Sequence, residues 1–84
     1  MEYVLIKFFN ENRFEYKIIS ISNNYAELCN KRDEENCNIK IKNILILIGK
    51  AFGLRKETDK SHYVVFEYVK LPYYIKDDIR KYFI

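Results

Sequence analysis

The 84-residue sequence predicts a small α+β domain that is mainly α-helical. The length allows one domain with one core, so residues 1–84 are treated as a single domain. Two glycines and one proline are too few for the turns of an all-β sandwich or barrel. Apolar residues recur at helical spacing in several segments, and short β-branched runs separate them.

The first element is predicted as a helix over residues 2–10. Val4, Leu5, Phe8 and Phe9 recur at spacings that form one apolar stripe on a helix. A strand over residues 2–9 is the alternative, because residues 3, 5, 7 and 9 also form one side of an alternating pattern of β-prone residues. Residues 16–21 are short and β-branched, which predicts a strand.

A second helix is predicted over residues 23–34. Asn24 followed by Glu27 three positions later resembles a capping box, with Asn in place of Ser or Thr. Asp33, Glu34, Glu35 and Asn36 are expected to end this helix, with the acidic cluster in a solvated loop. Of the two cysteines, Cys29 is expected in the core and Cys37 in a loop, both as reduced thiols.

A third helix is predicted from about residue 39 to Gly53, which has the residue type favoured at a helix C-terminus. Its buried face is expected to consist of Ile41, Ile44, Leu45, Ile48, Ala51 and Phe52. Ile46 and Leu47 lie outside that stripe and are expected to point outward. A strand over residues 39–48 is the alternative, because β-branched residues are numerous there.

A polar stretch over residues 55–61 precedes an alternating strand predicted over residues 62–71, and Pro72 stops that strand. A terminal helix is predicted over residues 73–84. Its apolar side is expected to consist of Ile75, Ile79, Tyr82 and Phe83.

This order of elements resembles a winged helix-turn-helix, in which three helices share a core and a β-wing follows the recognition helix. The segments 48–56 (IGKAFGLRK) and 60–65 (KSHYVV) look like a recognition helix running into a wing. They are similar to the winged-helix domain at the C-terminus of primase-helicases of phages, plasmids and large DNA viruses. The resemblance covers residues 3–71. It implies a viral or plasmid protein with a DNA-binding recognition helix at 40–53 and a wing at 55–64.

The charge distribution points to the same half of the chain. The formal net charge is +3, but residues 1–36 carry a balance of −2 and residues 37–84 one of +5. Excess positive charge is what a phosphate-binding surface needs. Asn43 is the candidate for reading an adenine edge, since its amide both donates and accepts. The other DNA-binding candidates are Lys40, Lys42, Lys50, Arg55, Lys56, Lys60 and His62.

Catalysis is not expected. Gly49 and Gly53 do not form a phosphate-binding loop, and Ser61, His62 and Asp59 in one loop lack the separately anchored geometry of a catalytic triad. The two cysteines and one histidine do not match a zinc pattern, so no metal, cofactor or small-molecule substrate is expected. The longest apolar run, residues 44–48, is too short to span a bilayer, and no signal peptide is recognised. These features predict a cytoplasmic protein that does not bind membranes.

The leading hypothesis is therefore a non-catalytic DNA-binding module, with the terminal helix as the candidate contact of a homodimer. The alternative is a small protein-binding or inhibitor module, for example a virus- or plasmid-borne anti-defence protein. An exposed apolar surface motivates it, and its expected members are Ile46, Leu47, Tyr73, Tyr74 and Tyr82.

Overall fold

The computed structural model describes residues 2–83, which form a three-stranded antiparallel sheet with two α-helices. The elements are β1 (Tyr3–Phe8), β2 (Tyr16–Ser22), α1 (Tyr25–Lys50), β3 (His62–Glu67), a 3-10 turn (Tyr68–Lys70) and α2 (Tyr73–Phe83). The predicted α+β class is confirmed. The three-helix core of a winged helix is not found among residues 2–83, because the first predicted helix is a strand and the next two are one helix.

The N-terminal segment forms β1, so its prediction as a helix is wrong and the strand alternative is confirmed. β1 lies in the centre of the sheet, in the order β2-β1-β3. Val4, Leu5 and Ile6 are all completely buried, because both faces of this strand are covered. A strand covered on both faces carries a continuous apolar run, and such a run also fits helical spacing.

The predicted strand at residues 16–21 is confirmed as β2. It pairs with β1 in antiparallel register, with Val4 opposite Ile21 and Phe8 opposite Tyr16. The register shifts between Leu5, which pairs with Ser20, and Ile6, which pairs with Ile18. A bulge of this kind twists an edge strand and hinders its pairing with another chain.

The sheet separates two helices. On one face, Val4, Ile6 and Phe8 form a buried cluster with Leu71, Ile75 and Ile79, so α2 packs there. Ile75 and Ile79 are confirmed as the inner side of the terminal helix. Tyr82 is exposed, and the predicted contributions of the Phe83 side chain and of Ile84 lie outside the described residues.

α1 covers the opposite face and runs without interruption through the segment that was predicted to be an acidic loop. The interval from residue 25 to 48 contains neither Gly nor Pro, so nothing forces a break. Glutamate is a good helix former and aspartate only moderately unfavourable inside a helix, and Asp33 lies 3.0 Å from the Arg32 guanidinium. Cys29 is half-buried and Cys37 is exposed on this helix rather than in a loop.

Both ends of α1 have identifiable caps. The Asn24 side chain accepts a hydrogen bond from the Glu27 backbone N–H at 3.1 Å, as expected for an N-cap. The Asn24 backbone N–H donates to the Ser22 hydroxyl. At the other end, Gly53 N–H donates to the Lys50 carbonyl and Leu54 N–H to the Gly49 carbonyl, which is the bond pair of a Schellman motif.

Gly53 has φ of +94°, so the prediction that it terminates this helical region is confirmed. The Leu54 side chain then folds back over Gly49, and a Cβ at position 49 would lie 2.7 Å from Leu54 Cδ2. Gly49 therefore permits the close approach by which the chain reverses after α1.

β3 begins at His62 as predicted but ends at Glu67, where the chain enters the 3-10 turn instead of extending to residue 71. Leu71 N–H donates to the Tyr68 carbonyl in this turn. Pro72 then precedes α2, and its carbonyl accepts a hydrogen bond from Lys76 N–H at 3.1 Å.

Candidate protein-binding surface

The C-terminal half of α1 extends beyond the sheet. A helix of 26 residues is roughly 39 Å long, whereas strands of six or seven residues span about 20–23 Å. The described part of the chain is correspondingly elongated, with extents of 48 × 25 × 18 Å. Leu28 and Ile46 are buried on the inner side of α1, five helical turns apart on the same face.

The face of α1 opposite this inner side carries a continuous set of exposed apolar side chains. We call it the outer stripe, and it consists of Ile41, Ile44, Leu45, Ile48 and Phe52. About half of each isoleucine side chain is exposed, while Leu45 is 62% exposed and Phe52, just after the helix, is 88% exposed. Every member is therefore accessible to a partner.

The sequence predicts that the outer stripe is buried. In the isolated chain it is exposed, so that prediction is wrong. Ala51, which completed the predicted face, is also exposed. Ile46, predicted to point outward, is only 5% exposed, while Leu47 is exposed as predicted. The helix is rotated by about half a turn from the expected orientation, since the side that carries Leu28 and Ile46 is the buried one.

The inner side of α1 is held to the edge strand β3 and to the loop before it by two asparagines. The Asn36 amide donates to the Tyr63 carbonyl at 3.0 Å and accepts from Tyr63 N–H at 2.8 Å. Seven residues later, the Asn43 amide donates to the Asp59 carbonyl at 2.8 Å and accepts from Asp59 N–H at 2.7 Å. Seven residues are nearly two helical turns, so both amides lie on the same side of α1 and reach the segment 59–63.

These two amides satisfy backbone groups that an edge strand and its preceding loop would otherwise leave open. Asn36 and Asp59 were not among the predicted functional residues. The seven-residue spacing of Asn36 and Asn43 is a signal that could have identified them as a pair. Asn43, the predicted reader of an adenine edge, uses its donor and its acceptor on the Asp59 backbone in this structure.

Asp59 is the charged centre of this loop. Hydrogen bonds from the Ser61 hydroxyl and backbone N–H lower the pKa of its carboxyl from 3.8 to about 2, against the opposing effect of partial burial. A contact from the Lys42 ammonium, 3.3 Å away, lowers that pKa further. Asp59 therefore remains ionised and partly neutralises Lys42.

The predicted DNA-binding residues are distributed over two sides of α1. Lys40, Asn43, Lys60 and His62 line a shallow groove of about 600 Å³ between α1 and residues 58–62. Lys42 and Lys56 line a second groove of about 490 Å³ together with Ile41, Leu45, Ile46 and Leu54. Lys50 ends α1 and Arg55 follows the Schellman turn, and both are exposed.

His62 differs from the other basic candidates because its ring packs against the sheet. The imidazole stacks on Phe8 with ring centroids 5.4 Å apart, and Arg13 Nε donates to its Nε2 at 3.3 Å. Arg13 also lies 5.0 Å from the centre of the Phe8 ring. These contacts anchor the loop between β1 and β2 to the start of β3.

The exposed tyrosines are separate from the outer stripe. Tyr73, Tyr74 and Tyr82 lie on α2, across the sheet from α1. The Tyr16 hydroxyl donates a hydrogen bond to Asp78. Burial raises the pKa of this phenol most, and the hydrogen bond and the negative charge of Asp78 raise it further. The apolar patch predicted from residues 46, 47, 73, 74 and 82 is thus not one surface, since Ile46 is buried and the tyrosines face elsewhere.

No protein-family model, curated protein or solved structure matches this chain. Neither helix within residues 2–83 combines the length and apolar character needed to cross a bilayer. The same residues contain no group of three or more His, Cys, Asp or Glu side chains arranged to hold a metal ion.

Proposed function

We propose that this chain is a protein-binding module that acts through the outer stripe of α1. The observation that carries the proposal is the exposure of Ile41, Ile44, Leu45 and Ile48 along one face of α1, with Phe52 just beyond its end. At about 200 Å² per fully exposed side chain, these residues present on the order of 600 Å² of apolar surface. That is the upper end for a monomeric protein, and surfaces of this size commonly serve as interaction sites.

The architecture fits this role because the binding side chains are on a rigid element. Gly49, Leu54 and the Schellman turn hold the end of α1, and the Asn43 amide ties the same region to the loop at Asp59. A partner therefore meets a preformed helix surface, which reduces the ordering entropy of association.

Two equally exposed phenylalanines allow a matched test. Phe52 belongs to the outer stripe and Phe14 lies in the loop between β1 and β2, at 88% and 83% exposure. We would replace each in turn by the photoreactive residue p-benzoylphenylalanine in cells that carry the native gene. We expect covalent protein adducts from position 52, their loss when Leu45→Ser is added, and none from position 14. The same adducts from both positions, or none from position 52, would refute the function.

DNA binding is the second candidate, and the charge around the outer stripe favours it. Residues 37–56 contain five basic residues and no acidic one. Duplex affinity should then fall steeply with salt, and the double variant Lys50→Ala/Lys56→Ala should lower the log–log salt slope by roughly 2. Fluorescence anisotropy with a labelled duplex measures both. Absence of duplex binding by the unmodified chain at low salt would eliminate this candidate.

A further inference from the structure

We propose that the groove between α1 and residues 58–62 binds a small phosphate monoester with an apolar body. The groove has a volume of about 600 Å³, within the range of about 300–1,000 Å³ that small-molecule sites occupy. It shares Ile44 with the outer stripe and otherwise opens on another side of α1. The inference therefore goes beyond the proposed function and adds a second site.

The walls of the groove are fixed by hydrogen bonds within the chain. The Asn43 amide exchanges two hydrogen bonds with the Asp59 backbone, at 2.8 and 2.7 Å, and the Asn36 amide does the same with the Tyr63 backbone. These bonds join α1 to the segment 59–63 at the groove itself. A ligand therefore enters a site that is already formed, which lowers the entropy cost of binding.

Several polar groups that line the groove are already used within the chain. The Asp59 carboxylate accepts a hydrogen bond from Ser61 N–H at 2.8 Å and lies 3.3 Å from the Lys42 ammonium, so its charge is largely compensated. The His62 Nε2 accepts a hydrogen bond from Arg13 Nε, which places the imidazole proton on Nδ1, beside a backbone carbonyl. This ring is therefore neutral and adds no charge to the groove.

Two ammonium groups in the groove have no such partner. Lys40 of α1 and Lys60 of the facing loop both line it, are exposed, and form no ion pair with another residue in the described range 2–83. The opposing charge is the carboxylate of Glu11. A phosphate monoester carries about −1.5 to −2 charges at pH 7, so it matches two ammonium groups, whereas a carboxylate matches one.

The apolar body of the ligand follows from other residues that line the groove. Ile39 and Leu47 lie about two helical turns apart on α1 and both line it. Leu47 is 57% exposed, so it presents apolar surface that the fold itself leaves in water. An aromatic or aliphatic group attached to the phosphate would cover this surface, and inorganic phosphate would not. The groove therefore favours an amphipathic anion over a simple one.

The test uses naphthyl phosphate, with naphthol and inorganic phosphate as probes that each lack one half of it. We would add each probe to the isotope-labelled chain and follow the backbone amide signals by nuclear magnetic resonance. Naphthyl phosphate should shift the signals of residues 58–62 and of the facing part of α1, with a dissociation constant on the order of 0.1–1 mM. Each of the other probes should bind at least about tenfold more weakly.

Two pairs of exposed lysines provide a control of equal charge. Lys40→Ala/Lys60→Ala removes the two ammonium groups of the groove, whereas Lys50→Ala/Lys56→Ala removes two that lie outside it. The first variant should weaken the binding of naphthyl phosphate about tenfold, and the second less than about threefold. Glu11→Gln should strengthen binding about twofold to threefold, because it removes a carboxylate that repels the phosphate.

The site is overturned by any of four results. Equal weakening by the two double variants would show that the ligand meets general surface charge rather than this groove. Naphthol binding as tightly as naphthyl phosphate, signal shifts that leave out residues 58–62, or no shift at about 10 mM naphthyl phosphate would each contradict the assignment. Cross-linking from position 52 is measured independently, so these results leave the protein-binding function to its own test.

Discussion

Removing the Asn36 amide should destabilise the fold more than most substitutions on a helix surface do. Asn36→Ala breaks two hydrogen bonds to Tyr63, whose partly buried N–H and carbonyl lie on the edge of the sheet. At about 1 kcal/mol for each bond, the loss is about 2 kcal/mol. Alanine favours the helix by about 0.5 kcal/mol, so we expect a net destabilisation of about 1.5 kcal/mol.

The exposed Asn38, on the same helix, is the control for this substitution. Asn38→Ala should stabilise the chain by about 0.5 kcal/mol, since it has only the propensity effect. The two variants should therefore differ by about 2 kcal/mol in unfolding free energy, measured by urea denaturation and far-ultraviolet circular dichroism. A difference below about 0.5 kcal/mol would show that the amide does not hold β3 to α1.

Three further outcomes are expected from the fold. Gly53→Ala should destabilise by about 1 kcal/mol in thermal unfolding, because φ is +94° while an added Cβ would meet no atom within 4 Å. The pKa of Asp59 is lowered to about 2, so its contribution to stability is present above about pH 4 and lost as the pH falls toward 2. In Asp59→Asn the urea midpoint should accordingly depend less on pH in that range. Ile79→Ala should cost about 2–5 kcal/mol by leaving a cavity under α2, while Tyr82→Ala, at an exposed position, should change unfolding by less than about 0.5 kcal/mol.

The sequence was sufficient for the elements whose signals are local. The Asn24 cap, the turn at Gly53, the strand at residues 16–21 and the inner residues of α2 all follow from neighbouring residues. β1 could not be assigned in this way, because its apolar run fits the spacing of a helix as well as the alternation of a strand. The continuity of α1 was also missed, because the acidic residues Asp33, Glu34 and Glu35 were interpreted as the end of a helix.

Finding the candidate site required knowing which side of α1 packs against the rest of the chain. Apolar periodicity alone does not give that orientation. Two faces of the segment from residue 39 to 52 are apolar, one containing Ile46 and the other the outer stripe. The larger of these two faces, the outer stripe, was predicted to lie in the core. The contact is instead set by Asn36 and Asn43, whose amides bond to a strand and loop distant in sequence. Local spacing does not reveal hydrogen-bond partners 16 to 27 residues away.

The exposed stripe therefore has a physical meaning beyond an incorrect orientation. A helix inside one small domain needs a single apolar face, and Leu28 and Ile46 already provide it on α1. A second face with regular heptad spacing adds nothing to the stability of the isolated chain, and exposing it favours aggregation. The two apolar faces of α1 thus fit two different contacts, one within its own chain and, under the proposed function, one with a partner protein.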